Sequence, residues 1–207
     1  MLQQLLRTAS AAALLAASQA SVAALMFDQN VTPDIIFGSG NLNGSFTVDR
    51  QNGVELGLRG KLRHNASGAP ENTFNSNGDG TYSFNAGVAP TQSSPTAEWS
   101  FEWTINTNWD NSTQWNLNDL TYVLGLDGDP SQGTLFTVFD PINGVNPGTS
   151  RVQWDHATGN NTTGKGGGTS VPNSADNAAG YAALIDTNNV AQQSWKPHWF
   201  IPGFDPT

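Results

Sequence analysis

The chain has 207 residues, a formal net charge of −9, only 12 % charged residues and no cysteine. That length suits one ordinary domain with a real core. The missing cysteine excludes thiol catalysis and Cys-ligated zinc, and an acidic surface disfavours nucleic acid and anionic membranes, which repel it. Polarity comes instead from neutral side chains, with 22 Asn and 22 Gly. This is the composition of a turn-rich β protein, because Gly and Asn tolerate positive φ and Asn closes local turns.

The opening stretch, MLQQLLRTASAAALLAASQASVAAL, sets one positive charge, Arg7, before an Ala/Leu-rich run from Ala9 to Ala17. Small residues at Ser21 and Ala23 suit signal-peptidase cleavage after Ala23, with Ala20 and Ala24 as other cleavage points. The run is too short and too Ala-rich for a good membrane span. Residues 1–23 are therefore expected to be a signal peptide and the chain to be exported. The competing reading is an N-terminal amphipathic helix of the folded domain. Loss of Arg7 takes the net charge from −9 to −10.

GSFTVDR (44–50) alternates, with Phe46 and Val48 on one face, and Asn52-Gly53 follows as a two-residue turn. VELGLRGKLR (54–63) then places Val54, Leu56, Leu58 and Leu62 on one face and Glu55, Arg59, Lys61 and Arg63 on the other. Period-two patterning around Asn-Gly predicts a β-hairpin with its leucines buried and its charges in solvent. An anion-binding stripe is the functional alternative, and edge-protecting charges are the preferred reading. NSNGDGTYSF (75–84) reads as a turn entering a strand, with Tyr82 and Phe84 facing in.

TAEWSFEWTINTNWDNSTQW (96–115) holds four of the seven tryptophans. Ala97, Trp99, Phe101, Trp103 and Ile105 alternate with Glu98, Ser100, Glu102, Thr104 and Asn106, so a strand sends the first set to the core and the second to solvent. Trp109 and Trp115 sit in a polar loop without alternation. There they form either a sugar-stacking surface with Asn108 and Asp110 or a lid over the sheet end. Glu98, Ser100 and Glu102 match the spacing of the Glu-x-Asp-x-Glu strand of laminarinase-type glycoside hydrolases, which are jelly-rolls. The resemblance implies Glu98 and Glu102 as the catalytic pair. Ser100, however, replaces the middle Asp, and Cα atoms four residues apart on a strand lie about 13 Å from each other, whereas a retaining pair needs its carboxyls about 5–5.5 Å apart. A solvent-facing strand is the better reading.

TYVLGLD (121–127) and TLFTVFD (134–140) read as strands joined by a tight loop, and RVQW (151–154) as a short strand. Residues 160–174 form a long Gly/Thr/Ser-rich surface loop. Ser174 can cap a short helix over 175–186, with Tyr181, Leu184 and Ile185 on one face. NVAQQSW (189–195) is another strand. The Pro-rich ending HWFIPGFDPT would usually lead into a strand, so residues 24–207 are expected to be one domain that is C-terminally incomplete. Several short strands, Gly/Asn turns and one helix together indicate an all-β, antiparallel β-sandwich of jelly-roll or immunoglobulin-like type.

Asn75, Asn77 and Asp79 mimic the start of a calcium loop, but its closing Glu is missing, since Ala86 stands there. Asp127 and Asp129 form a similar acidic turn. Ordinary Gly-rich turns without a cofactor are the preferred reading of both stretches, and weakly bound calcium is the alternative. His64, His156 and His198 show no ligand spacing.

GSFTVDRQNGVELGLRGKLRHN, EWSFEWTINTNWD, LGLDGDPS and YAALIDTNNVAQQSW together resemble a group of exported bacterial proteins, many ending in a PEP-CTERM sorting signal. The resemblance implies export from a Gram-negative cell and, in complete members, a further strand region and a C-terminal anchor. It brings no catalytic residues. The expected function is therefore an exported cell-surface or extracellular-matrix protein, most concretely one binding polysaccharide. A glycan-cleaving enzyme and a purely structural surface protein are the alternatives.

Overall fold

The computed structural model describes residues 24–144, 156–170 and 177–207. The signal segment, the expected strand at 151–154 and Ser174 lie outside the described residues. A six-stranded antiparallel sheet runs in the order β1 (Met26–Gln29), β2 (Phe46–Gln51), β3 (Val54–Leu62), β4 (Trp99–Asn106), β8 (Val190–Trp195), β7 (Ala157–Gly159). β5 (Leu124–Asp127) and β6 (Phe136–Phe139) form a separate two-stranded ribbon, and α1 spans Ala178–Thr187. The fold is mostly β and antiparallel, with one helix, compatible with a β-sandwich. Among the described residues no helix is long and apolar enough to cross a membrane.

Asn52 and Gly53 both take positive φ, 51° and 80°, as a two-residue hairpin turn requires. This fixes the register Gln51↔Val54 and Thr47↔Leu58. The helix starts three residues inside its expected range of 175–186 and ends one residue beyond it, capped by Asn177, whose side chain accepts a hydrogen bond from the Gly180 amide at 3.0 Å. Tyr181 and Ile185 face the core, as their spacing predicts.

Both faces of the large sheet are covered, and each has its own apolar cluster. Trp103, Ile105, Ala191 and Trp195 on one face pack with Leu117, Leu124, Phe139, Ile142, Tyr181, Ile185 and Phe200, which come from the ribbon and the chain just before and after it, the helix and the C-terminal segment. On the other face Phe46, Val48 and Val190 pack with Val31, Ile35, Ile36 and Phe37. This irregular segment is tied down by the Ile36 amide, which donates to Gln192 Oε1 at 2.9 Å.

The second cover reverses the expected orientation of β3. Glu55, Arg59 and Lys61 are buried, whereas Leu56 and Leu58 are 44 % and 48 % exposed. The reason lies in the register. Leu56 stands opposite Ile105 and Leu58 opposite Trp103, so the leucines do face the ribbon side, but the ribbon covers only β4 and β8. The charges meet the segment at 31–46 instead. Glu98, Ser100, Glu102, Thr104 and Asn106, which alternation had placed in solvent, are buried as well. Trp103 is fully in the core, while Trp99 and Phe101 are half-buried against Phe84, Phe204 and Phe200.

Candidate functional site

The loop leaving β4 is built from amide side chains. Asn106 Nδ2 donates to Thr32 O (2.7 Å) and Asn161 Oδ1 (2.8 Å), and its Oδ1 accepts from Asn189 Nδ2 (2.7 Å). Asn161 Nδ2 donates to Asn108 O, Thr113 Oγ1 to Thr107 O, and Thr107 Oγ1 to Trp115 O, all within 2.6–2.7 Å. Such a closed network holds a loop rigid. It rests on the β2–β3 turn: the Trp109 amide donates to Gly53 O at 3.0 Å, and a Cβ on Gly53 would lie 2.4 Å from Thr113 Cγ2.

The four residues expected to bind a ligand therefore share one loop, in different states. Trp109 is half-buried, with the Arg50 guanidinium 4.8 Å from its ring centroid. Trp115 is 40 % exposed. Asn108 Oδ1 accepts from the Thr113 amide and Asp110 Oδ1 from the Ser112 amide, both at 3.0 Å. The Ser112 hydrogen bonds hold the exposed Asp110 carboxyl below the usual carboxylate range. Gln114, Asn118 and Asp110 stand exposed around Trp115 in the sequence.

Glu98 and Glu102 are not presented to solvent. Glu98 accepts from Asn85 through its amide (2.6 Å) and Nδ2 (3.1 Å). Glu102 is 0 % exposed, bound by Arg59 Nε at 2.7 Å and Nη2 at 2.5 Å, with Lys61 Nζ 3.6 Å away. Arg59 lies between the Phe46 and Phe74 rings at 4.2 and 4.0 Å and donates to Gly44 O at 2.6 Å, while Lys61 Nζ donates to Asn41 Oδ1. Burial pulls both cations' pKa values down, and Glu102 opposes that. Glu55 is likewise sealed by Arg50 at 2.6 Å and the Thr32 amide at 2.7 Å, with burial pushing its pKa up. A carboxylate enclosed in this way has no path to a glycosidic bond, so its role here is structural.

The calcium candidates are turns closed by their own side chains. Asp79 accepts from the Thr81 amide and hydroxyl, Asn77 donates to Thr81 and Ser83, Asp127 accepts from the Asp129 and Leu135 amides, and Asp129 from the Ser131 amide. Asn75 takes φ 52° within the first turn. Among the described residues no three His, Cys, Asp or Glu gather where they could hold a metal ion.

A feature that sequence reasoning missed is an apolar groove of about 570 Å³ between the exposed side of β2–β3 and the chain entering β5. Leu56, Leu58, Ile105, Val123 and Leu124 line it, with Thr47 and Asp49 at its border. The ribbon alongside exposes Leu135, Phe136 and Val138.

No family model, curated protein or solved structure matches the chain.

Proposed function

We propose that this chain is an exported, non-enzymatic binding protein of the cell surface or extracellular matrix, and that it holds polysaccharide at the Trp115 loop. Trp115 itself carries the reading: an aromatic face 40 % exposed on a loop fixed by side-chain hydrogen bonds. A rigid indole stacks on a pyranose ring with little ordering cost, and neighbouring amides and carboxylates can bind hydroxyls. The net charge of −9 favours a neutral glycan over a polyanion. The signal-like first 23 residues and the resemblance to exported PEP-CTERM-type proteins support the location. On a glycan array, Trp115→Ala should lose binding at least tenfold with an unchanged melting temperature. Equal binding by the variant, or no neutral glycan bound by wild type, overturns the reading.

The groove favours a second reading, a structural surface protein that assembles with copies of itself. β5 and β6 pair only with each other among the described residues, and their outer residues Phe136 and Val138 are exposed. Like edges of two copies can join into one sheet and cover these side chains. Sedimentation velocity decides it: a dimer that Val138→Lys dissolves supports assembly, and a monomer at all concentrations rules it out.

A further inference from the structure

Among the described residues, four of the six lysines and arginines are ion-paired. Arg50 pairs with Glu55, Arg59 and Lys61 with Glu102, and Lys165 with Asp34. Arg63 and Lys196 have no ion-pair partner among the described residues, and the fold brings these two together. β3 and β8 run parallel on either side of β4, with Leu62 opposite Trp99 and Trp195 opposite Phe101. Arg63 and Lys196, each the next residue, thus leave the same end of the sheet from strands about 10 Å apart. Both side chains span much of such a gap.

Two imidazoles join them. The amides of Arg63 and His64 both donate to Glu98 O, at 2.7 and 2.9 Å, which anchors His64 beside the start of β4. His64 is 8 % exposed; its Nδ1 meets Gly68 O at 3.2 Å, which makes Nδ1 the donor, and its Nε2 is buried without a partner. His198, in the short 3₁₀ turn after Lys196, leaves Nδ1 buried and unpartnered. Burial, then the positive charges of Lys196 and Arg63, lowers the His64 pKa against the Gly68 hydrogen bond. Burial lowers that of His198, followed by Lys196 and His64, and burial lowers that of Lys196, followed by Arg63. No carboxylate offsets any of the three. The nearest acidic side chain in sequence register, Glu98, is held by Asn85.

Two cations half-sunk in a protein surface without a counter-charge repel one another, lose hydration and oppose protonation of the two imidazoles beside them. A bound anion removes these costs. We infer that Arg63, His64, Lys196 and His198 form a binding site for a tetrahedral oxyanion, phosphate or sulfate, free or carried on a sugar. Arg63 supplies a planar two-pronged donor and Lys196 a point charge. The imidazoles supply Nε2–H of His64 and Nδ1–H of His198, each taking up a proton as the anion binds. Trp199, whose ring centroid lies 5.7 Å from Lys196 Nζ, offers a face beside the site. The site lies at the opposite end of β4 from the Trp115 loop, so neither proposal depends on the other.

The test is a titration of the full chain with sodium phosphate and sodium sulfate to 10 mM at fixed ionic strength and pH 6.5, following histidine resonances by NMR. Saturable shifts at His64 and His198 but not at His156 are expected, with affinity at least tenfold weaker in Arg63→Gln and Lys196→Gln. Lys165→Gln, which removes a cation already paired with Asp34, should bind as wild type does. Linear, non-saturating shifts, or equal affinity in all variants, overturn the site. A glucose 6-phosphate arm separates sources: tighter binding than inorganic phosphate indicates a sugar ester, and equal binding a free ion.

Discussion

His156 is 1 % exposed and lies among Trp103 and Tyr181, with ring centroids 5.5 Å away in each case. Tyr181 Oη donates to Ile142 O at 2.5 Å, so the 3.2 Å contact with His156 Nε2 is made by the imidazole N–H donating to the tyrosine oxygen. Nδ1 is then a bare lone pair with no partner among the described residues, and protonating it would bury an unpaired charge. Burial accordingly pushes the His156 pKa down from 6.5 to about 3. In the unfolded chain the ring protonates near its ordinary value, so below that value the unfolded state binds more protons and stability falls with pH. Above the unfolded value the ring contributes nothing, and the loss is complete only near pH 3. Between pH 7.5 and pH 5 this one group should remove about 2 kcal/mol. His64 and His198, whose pKa values are also lowered, act in the same direction. The assay is therefore a difference: urea unfolding of wild type and His156→Gln at both pH values, followed by tryptophan fluorescence. The wild type should lose about 2 kcal/mol more than the variant over this range. Parallel losses in the two proteins would show that His156 is hydrated or charged in the native state, and would refute the reasoning.

Other substitutions test the packing. Glu102→Gln leaves Arg59 and Lys61 buried without their counter-charge and should cost about 3–5 kcal/mol in urea unfolding. Gly57→Ala puts a Cβ 2.6 Å from Thr104 Cγ2 and 3.0 Å from Val31 Cγ1, so a loss of about 1–3 kcal/mol is expected from overpacking. Leu58→Thr, at a half-exposed groove wall, should change stability by less than about 1 kcal/mol; a larger loss would mean that the leucine is covered. Thermal melts in millimolar calcium and in chelator at matched ionic strength should coincide, because Asp79, Asp127 and Asp129 each close their own turn. A calcium-dependent rise of several degrees would put a bound ion in these loops.

The hairpin at Asn52-Gly53, the strand at 99–106, the ribbon and the helix were all legible, because period and turn chemistry are local. The side each strand turns to a cover was not. Alternation separates Leu56 and Leu58 from Arg59 and Lys61 but does not say how many layers the sheet meets. The usual preference for buried leucine then chooses the wrong face when one cover is narrow and the other is an irregular segment without hydrophobic periodicity. Arg59 and Glu102 also look like surface charges until the β3–β4 register sets them opposite each other. The Trp109 and Trp115 loop was legible as a loop. That Trp109 lies under Arg50 and Trp115 is free follows only from where the β2–β3 turn ends in space. The Arg63–Lys196 cluster joins residues 133 positions apart through strand order, which no local pattern carries.

The seven tryptophan indole N–H groups provide the most direct test of polysaccharide binding at the Trp115 loop. In a ¹H–¹⁵N spectrum titrated with soluble neutral glucans such as laminarin and dextran, the Trp115 indole should shift in a saturable way. Those of Trp103 and Trp195, enclosed in the core, should stay in place. Unmoved indole signals throughout, or saturable shifts confined to Trp99 and Trp199 at the other end of the sheet, would contradict it.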